Sequence, residues 1–320
     1  MKKRIVPGLR CGLALVRQTF DTCRCLVPAA ALCACANHAV RAAAAELDIP
    51  PPDHVVIVIE ENKSYSSIIG SDEAPYINSL ARQGAVFSQS FALAHPSQPN
   101  YLALFSGSTH GITDDSCPHT LAGDNLGTLL LQAGRSIAVY SESIPSAGYT
   151  GCEQGLYARK HNPAANWQGV NLAASANLSF ESFDLAHLPT VSIVVPNMKN
   201  DMHSDSVRVG DDWLRKHISR YVDWARTHNG LLIVTWDEGG KKSDNRIPTI
   251  FVGPMVKPGI YNQRIDHYSI LATIADMYHL RRLGDSRTSA PVKDIWNNPH
   301  EAVTSTNGAQ DASHAATPSR

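Results

Sequence analysis

Ser97 stands in the stretch ALAHPSQPNYLALFSG, residues 92–107, with His95 and Pro96 before it and Pro99 and Asn100 after it. A serine ahead of a proline and an apolar run is a good helix start, because serine caps and a first-turn proline forfeits no hydrogen bond. The position has a second use. Free N–H groups at a helix N-terminus, aided by the helix dipole, favour a bound phosphate, so a hydroxyl there can serve as a nucleophile. Glu61 and Asn62 in IEEN, and Asp237 and Glu238 in TWDEGG, suit that use. They are hard oxygen donors of the kind that hold Mg²⁺, Mn²⁺ or Ca²⁺. Phosphoryl transfer needs a nucleophile in line, a cation on the phosphate oxygens, and donors for the charge those oxygens carry. A cation beside Ser97 would lower the pKa of its hydroxyl. Asn100 could give its amide to a phosphate oxygen, and His203 and His267 are candidates for proton transfer or metal ligation. His95 reads as a packed or hydrogen-bonded residue behind the ligands, and His161 in YARKHNP as a loop histidine or a phosphate contact. Singly, each has an ordinary alternative, a solvated turn at Glu61–Asn62 or a turn opening at Asp237.

Such chemistry needs elements that carry these residues to one place. HVVIVIEEN (54–62) is a β-branched run ending in polar residues, as a buried parallel strand does. AVFSQSFAL, SIAVYSE (136–142), TVSIVVPN, LLIVTWDE and PTIFVGP predict further strands. APYINSLARQG (74–84) and NLGTLLLQAG (125–134) predict helices closed by glycine, and residues 209–228 a long amphipathic helix. Strands alternating with helices imply an α/β fold with a mostly parallel sheet covered on both faces. Its chemistry collects at the carboxyl ends of the strands. Those ends read Glu60-Glu61-Asn62, the segment through Ser97, Asn197 to His203, and Asp237-Glu238.

A net charge of −1 over 320 residues offers nothing to nucleic acid or an anionic membrane surface. No apolar run in the body approaches a membrane span. Residues 1–45 differ: they hold five of the seven cysteines, a basic start and an alanine-rich stretch, which predicts an export signal, a disordered N-terminal extension being the alternative. The protein is thus expected outside the cytoplasm, periplasmic or extracellular if the source is bacterial. A lipoprotein anchor fits less well, since Cys33 is unusual within the attachment pattern before Cys35. With that segment removed, Cys117 and Cys152 remain, a pair that in an exported protein predicts a disulfide over a metal site, two free thiols being the alternative. The body is expected over residues 46–294. From 295 to 320 the chain turns polar and rich in Ala, Ser and Thr, as a disordered tail does.

HVVIVIEENKSY, HPSQPNYLALFSG, DSCP, YARKHNP, VPNMKNDMH, TWDEGG and DHYSILATIADMY together resemble the acid phosphatase and phospholipase C phosphoesterases of the alkaline phosphatase superfamily. The resemblance runs in order from about His54 to about Gly284. It implies a three-layer α/β/α sandwich and phosphate ester hydrolysis, with Ser97 as nucleophile. Glu61, Asn62, Asp237 and Glu238 become the ligands of a divalent cation, and His161, Asp201, His203 and His267 line the phosphate pocket. S-Q-P-N is also similar to T-F-P-N of nucleotide pyrophosphatases, in which the Asn helps hold the phosphate. Tyr101 stands where sulfatases of the superfamily need Arg, which argues against sulfate hydrolysis. Glu238 stands where two-zinc members have His, which favours a hard cation over zinc. The expected enzyme is a phosphomonoesterase working through a phosphoseryl intermediate on a small phosphate ester. The alternatives are a phospholipase C-type phosphodiesterase and a non-catalytic phosphate-binding protein.

Overall fold

The structure, a computed structural model, describes residues 49–297 except Lys242. The expected export signal lies outside the described residues, as does the tail from residue 298.

Among the described residues ten strands are formed: β1 (His54–Glu60), β2 (Ala85–Phe91), β3 (Ile137–Ser141), β4 (Glu153–Gln154), β5 (Tyr157–Ala158), β6 (Asn177–Ser179), β7 (Val191–Val195), β8 (Gly230–Trp236), β9 (Thr249–Val252) and β10 (Gly259–Asp266). Eight of them make one sheet in the order β10-β2-β9-β8-β1-β7-β3-β6, while β4 and β5 pair apart as a short hairpin. β1 lies near the middle, parallel to both neighbours, with Val55 opposite Val191 on β7 and Leu231 on β8. Only β9 runs against its neighbours in this sheet.

Five helices of seven or more residues flank the sheet: α1 (Pro75–Gln83), α2 (Gln98–Ser106), α3 (Leu126–Gln132), α4 (Val207–Ala225) and α5 (His267–Met277). Alternate side chains of a strand face opposite ways, and β1 divides accordingly. Val55, Ile57 and Ile59 pack with Leu102 and Phe105 of α2 and Ile270 and Ile274 of α5. Val56 and Val58 pack with Ile77 and Leu80 of α1 and Leu214 and Ile218 of α4. The result is an α/β/α sandwich. α4 is amphipathic and begins at a cap, the Ser206 side chain accepting from the Val209 amide. Every residue of α2 is buried, its polar Gln98, Asn100 and Ser106 included. It ends at Gly107, whose φ of +74° and position against the Leu283 carbonyl leave no room for a side chain.

Two departures from the sequence reading have plain causes. β10 was not expected, because as an edge strand it keeps polar and half-exposed residues such as Asn262, Gln263 and Arg264. The body also runs beyond Asp294, where composition places its end. Ile295 and Trp296 are buried in the core, and Trp296 bridges to Val256.

Candidate active site

The polar groups converge at the carboxyl end of β1 and its neighbours. Asn62 turns the chain there with φ +54°, a left-handed conformation that Asn tolerates better than most residues. Its backbone N–H thereby donates to Asp237 Oδ1, just past β8, at 3.1 Å. The end of the Asn62 amide sits 2.8 Å from Glu238 Oε1 and 3.3 Å from Glu61 Oε2. With nitrogen at that end it donates to both. With oxygen there, three oxygens face one another, which a cation between them relieves. Asp237 Oδ2 is buried without a partner. This hard-oxygen set fits Mg²⁺, Mn²⁺ or Ca²⁺.

Ser97 precedes α2, yet it does not cap it. Its backbone is already helical and its side chain makes no cap bond. Instead Ser97 Oγ donates to Glu61 Oε2 at 3.1 Å. The capping expected of Ser97 passes to Asp115, whose Oδ1 accepts from the Gln98 amide at 2.9 Å. A hydroxyl drawn to a buried carboxylate is not free to fold back on its own helix.

Asn100 also departs from expectation. Its Oδ1 accepts from Leu93 N and Ala94 N, and its Nδ2 donates to the Ala94 and Pro96 carbonyls. Both ends of the amide are thus spent on the segment leading into Ser97, and none faces a phosphate. Asn100 holds the loop that leads into Ser97.

His161 lies inside the cluster and is not a surface contact. Nε2 is 3.1 Å from Glu61 Oε1 and Nδ1 is 3.4 Å from Asp201 Oδ2, while the ring stacks on Tyr101. Donor atoms of Glu61, His161 and Asp201 lie within 4.8 Å of one another and form a buried group able to hold a metal ion. His203 packs beside His161, half-buried at the rim, with its amide on Asp201 Oδ1. His95 Nδ1 is 2.6 Å from Glu238 Oε2 and supports that acid from behind. His267 opens α5, fully buried, with Nε2 on the Asp237 carbonyl at 2.7 Å and Nδ1 unpartnered.

Burial and like charge set the protonation of this group. Desolvation, then the charges of Asp237 and Asp201, push Glu61 well above the usual carboxylate range. Burial raises Asp237 to about 8, with Glu238 adding to it, and lifts Asp201 and Glu238 to about 7. Burial also drives His161 well down and His203 to about 4. Buried acids this close together keep their protons or would be relieved by a bound cation. Glu60 is the exception. It points to the opposite face of the sheet from Glu61, fully buried with both carboxyl oxygens unpartnered, and burial raises it strongly.

Sequence reasoning missed Tyr101, whose hydroxyl donates to Glu61 Oε1 at 2.5 Å. The available signal was its spacing, four residues after Ser97 and so on the same helix face. Asp115 and Lys160 were missed as well. The Lys160 ammonium donates to Asp115 Oδ2 at 2.9 Å beside the start of α2. Cys117 and Cys152 are joined as a disulfide, which fastens the loop carrying Asp115.

Residues 71–281 match the Phosphoesterase family. The chain belongs to that family. Phosphatidylinositol-3-phosphatase of Mycobacterium tuberculosis is 47% identical over 255 residues, covering 78% of this chain and 85% of the relative. The phosphate-repressible acid phosphatase of Penicillium chrysogenum is 31% identical over 65% of this chain and 55% of its own length. In fold, this phosphoesterase is similar to an alkaline phosphatase superfamily protein from Vibrio parahaemolyticus, with a TM-score of 0.54 at 12% identity over 76% of this chain and 71% of that one. It is a phosphoric ester hydrolase, and none of its described helices is long and apolar enough to cross a membrane.

Proposed function

We propose that this phosphoesterase is a serine phosphomonoesterase. The observation that carries the reading is the Ser97 hydroxyl, relieved of capping and hydrogen-bonded to Glu61 Oε2 within a buried acid cluster at a helix start. Glu61, Asn62, Asp237 and Glu238 would hold a divalent cation, with His161 and Asp201 flanking Glu61. Once bound, the cation supplies charge stabilisation for the ionised serine and the phosphate oxygens.

The chain's own groups do the rest. Asn100 fixes the loop before Ser97, and Tyr101 fixes the carboxylate that Ser97 addresses. Ser97 Oγ, its proton given up to water, forms a bond to phosphorus as the P–O ester bond breaks and the departing oxygen takes a proton from water. Water then attacks the phosphoserine and gives its proton to His203 at the rim, and the P–Oγ bond breaks as Ser97 Oγ takes up a proton from solvent. Burial holds that imidazole neutral above a pKa of about 4, so the proton it receives is passed on to solvent.

The name of the mycobacterial relative adds a substrate class, a phosphate monoester on an inositol lipid headgroup, supported by a match over 85% of that relative. Export is favoured by the Cys117–Cys152 disulfide, since such bonds persist in oxidising compartments. The test is phosphate release from an aryl phosphate monoester, the matching diester and a phosphatidylinositol 3-phosphate, with and without added Mg²⁺, Mn²⁺ or Ca²⁺. Ser97→Ala is expected to lower monoester turnover at least about a thousandfold. Activity within about tenfold of wild type would remove Ser97 from the role, and turnover of the diester alone would move the enzyme to the phosphodiesterase class.

A further inference from the structure

The entrance to α2 is already occupied by an anion, and that anion belongs to the chain. Gln98 N–H, the donor next to Ser97, gives its hydrogen to Asp115 Oδ1 at 2.9 Å, and the other oxygen of the same carboxylate takes Lys160 Nζ at 2.9 Å. One carboxylate thus bridges a helix-start amide and an ammonium with two oxygens, as two oxygens of a phosphate group would. We propose that Gln98 N–H and Lys160 form the seat for the substrate's phosphate oxygens, and that Asp115 fills this seat until a phosphate displaces it. The inference rests on Ser97 being the nucleophile, since a phosphate brought to its Oγ arrives beside the amide of the next residue.

Three further observations support the exchange. First, Asp115 places a further carboxylate at the start of α2, next to the residue whose hydroxyl addresses Glu61. A carboxylate that stayed there would repel the incoming phosphate. Second, Lys160 is bonded to the carboxylate that would leave, so its ammonium stays at the seat when Asp115 turns away. Lys63, which also acts on the cluster, is committed to the Met202 carbonyl at 2.6 Å. Third, the loop is anchored on both sides of Asp115 but the side chain is not enclosed. Gln98 Nε2 holds the Asp114 and Ser116 carbonyls at 3.1 and 2.8 Å, Cys117 is bonded to Cys152, and Arg159 holds the His119 carbonyl. The side chains of Asp115 and Lys160 remain 27% and 17% exposed. Asp115 can therefore turn to water about its own bonds while the loop stays in place.

The test compares steady-state hydrolysis of an aryl phosphate, competitive inhibition by inorganic phosphate, and calorimetric phosphate binding to the Ser97→Ala protein. Asp115→Asn keeps the capping oxygen and removes the charge. It is expected to lower KM and the phosphate inhibition constant together, by about five- to tenfold. Lys160→Met is expected to raise both by at least about tenfold, more than it lowers kcat, with Lys160→Arg recovering most of the loss. Asp115→Ser, which keeps a capping oxygen in a shorter side chain, guards against misfolding of the asparagine variant and is expected to act in the same direction.

If Asp115→Asn and Asp115→Ser raise KM and the inhibition constant or leave them unchanged, Asp115 is a cap alone and the inference is overturned. An unchanged inhibition constant in Lys160→Met overturns it too. Either result in an enzyme that still hydrolyses the ester leaves the phosphatase reading intact. A wild-type protein that neither hydrolyses the ester nor binds phosphate overturns both.

Discussion

Removal of divalent cations should make this protein less stable as the solution becomes more alkaline. Glu61, Asp201, Asp237 and Glu238 lie together with little water to separate their charges. Burial and Glu238 move Asp237 from its ordinary 3.8 to about 8, and burial moves Asp201 and Glu238 to about 7. A carboxyl whose pKa is raised by folding binds more protons in the native state than in the unfolded one. Its contribution is therefore fully present below the unfolded pKa and is lost as pH rises through the folded one. Here that window runs from roughly pH 4 to pH 8. At about 1.4 kcal/mol per unit, Asp237 alone stands for on the order of 6 kcal/mol. Each kcal/mol moves the Tm of a chain this size by about 2–4 °C. Chelated protein, melted by circular dichroism at intervals from pH 5 to pH 9, is expected to lose at least about 10 °C. Millimolar Mg²⁺, Mn²⁺ or Ca²⁺ should restore most at the alkaline end and little at the acid end, because protonated carboxyls are poor ligands. Asp237→Asn should flatten the chelated profile. A chelated Tm that stays level or rises with pH, or that no cation raises at pH 8, would refute the reasoning.

Tyr101→Phe deletes the hydroxyl that holds Glu61 Oε1 and leaves a buried carboxylate oxygen with less support. Cation affinity, read by titrating activity against metal concentration, should fall about 10- to 100-fold, and unchanged affinity would show that Tyr101 serves packing alone. Replacing Cys117 and Cys152 together by Ser opens a link across 35 residues. By chain entropy this should cost about 3–4 kcal/mol in urea unfolding at 25 °C, and a cost below about 1 kcal/mol would mean that the hydrogen bonds of Arg159 and Gln98 fix this loop without it.

The parts of the site that could be read from the sequence lie at the ends of elements with strong patterns of their own. Glu61 and Asn62 follow a β-branched run and Asp237 and Glu238 follow another, so the parallel sheet brings them to one edge. Ser97 precedes a proline-marked helix. What could not be read depends on directions and long-range pairings. Residue type says that Asn100 can donate to a phosphate, but the path of residues 93–96 decides that it bonds there. His161 could be a loop residue or a phosphate contact until the fold packed it against Tyr101 between two acids. Asp115 pairs with Gln98 across 17 residues and with Lys160 across 45, and no local period encodes either contact. β10 was missed for the opposite reason, since its pattern is local but too polar to stand out from a loop.

Glu60 and Glu61 are adjacent in the chain, and only the pleat of β1 tells them apart. One reaches Ser97, while the other enters the opposite core with no partner. A shift of one residue in this strand would put either Glu60 or Asn62 where Glu61 meets Ser97. β1 is held against such a shift along its whole length, from His54 opposite Gly230 to Glu60 opposite Trp236 on β8, and by β7 on its other side. The site therefore depends on parity as much as on composition. A one-residue insertion in the middle of β1, far from the site and neutral in hydrophobicity, would present Glu60 to Ser97 in place of Glu61, and a deletion would present Asn62.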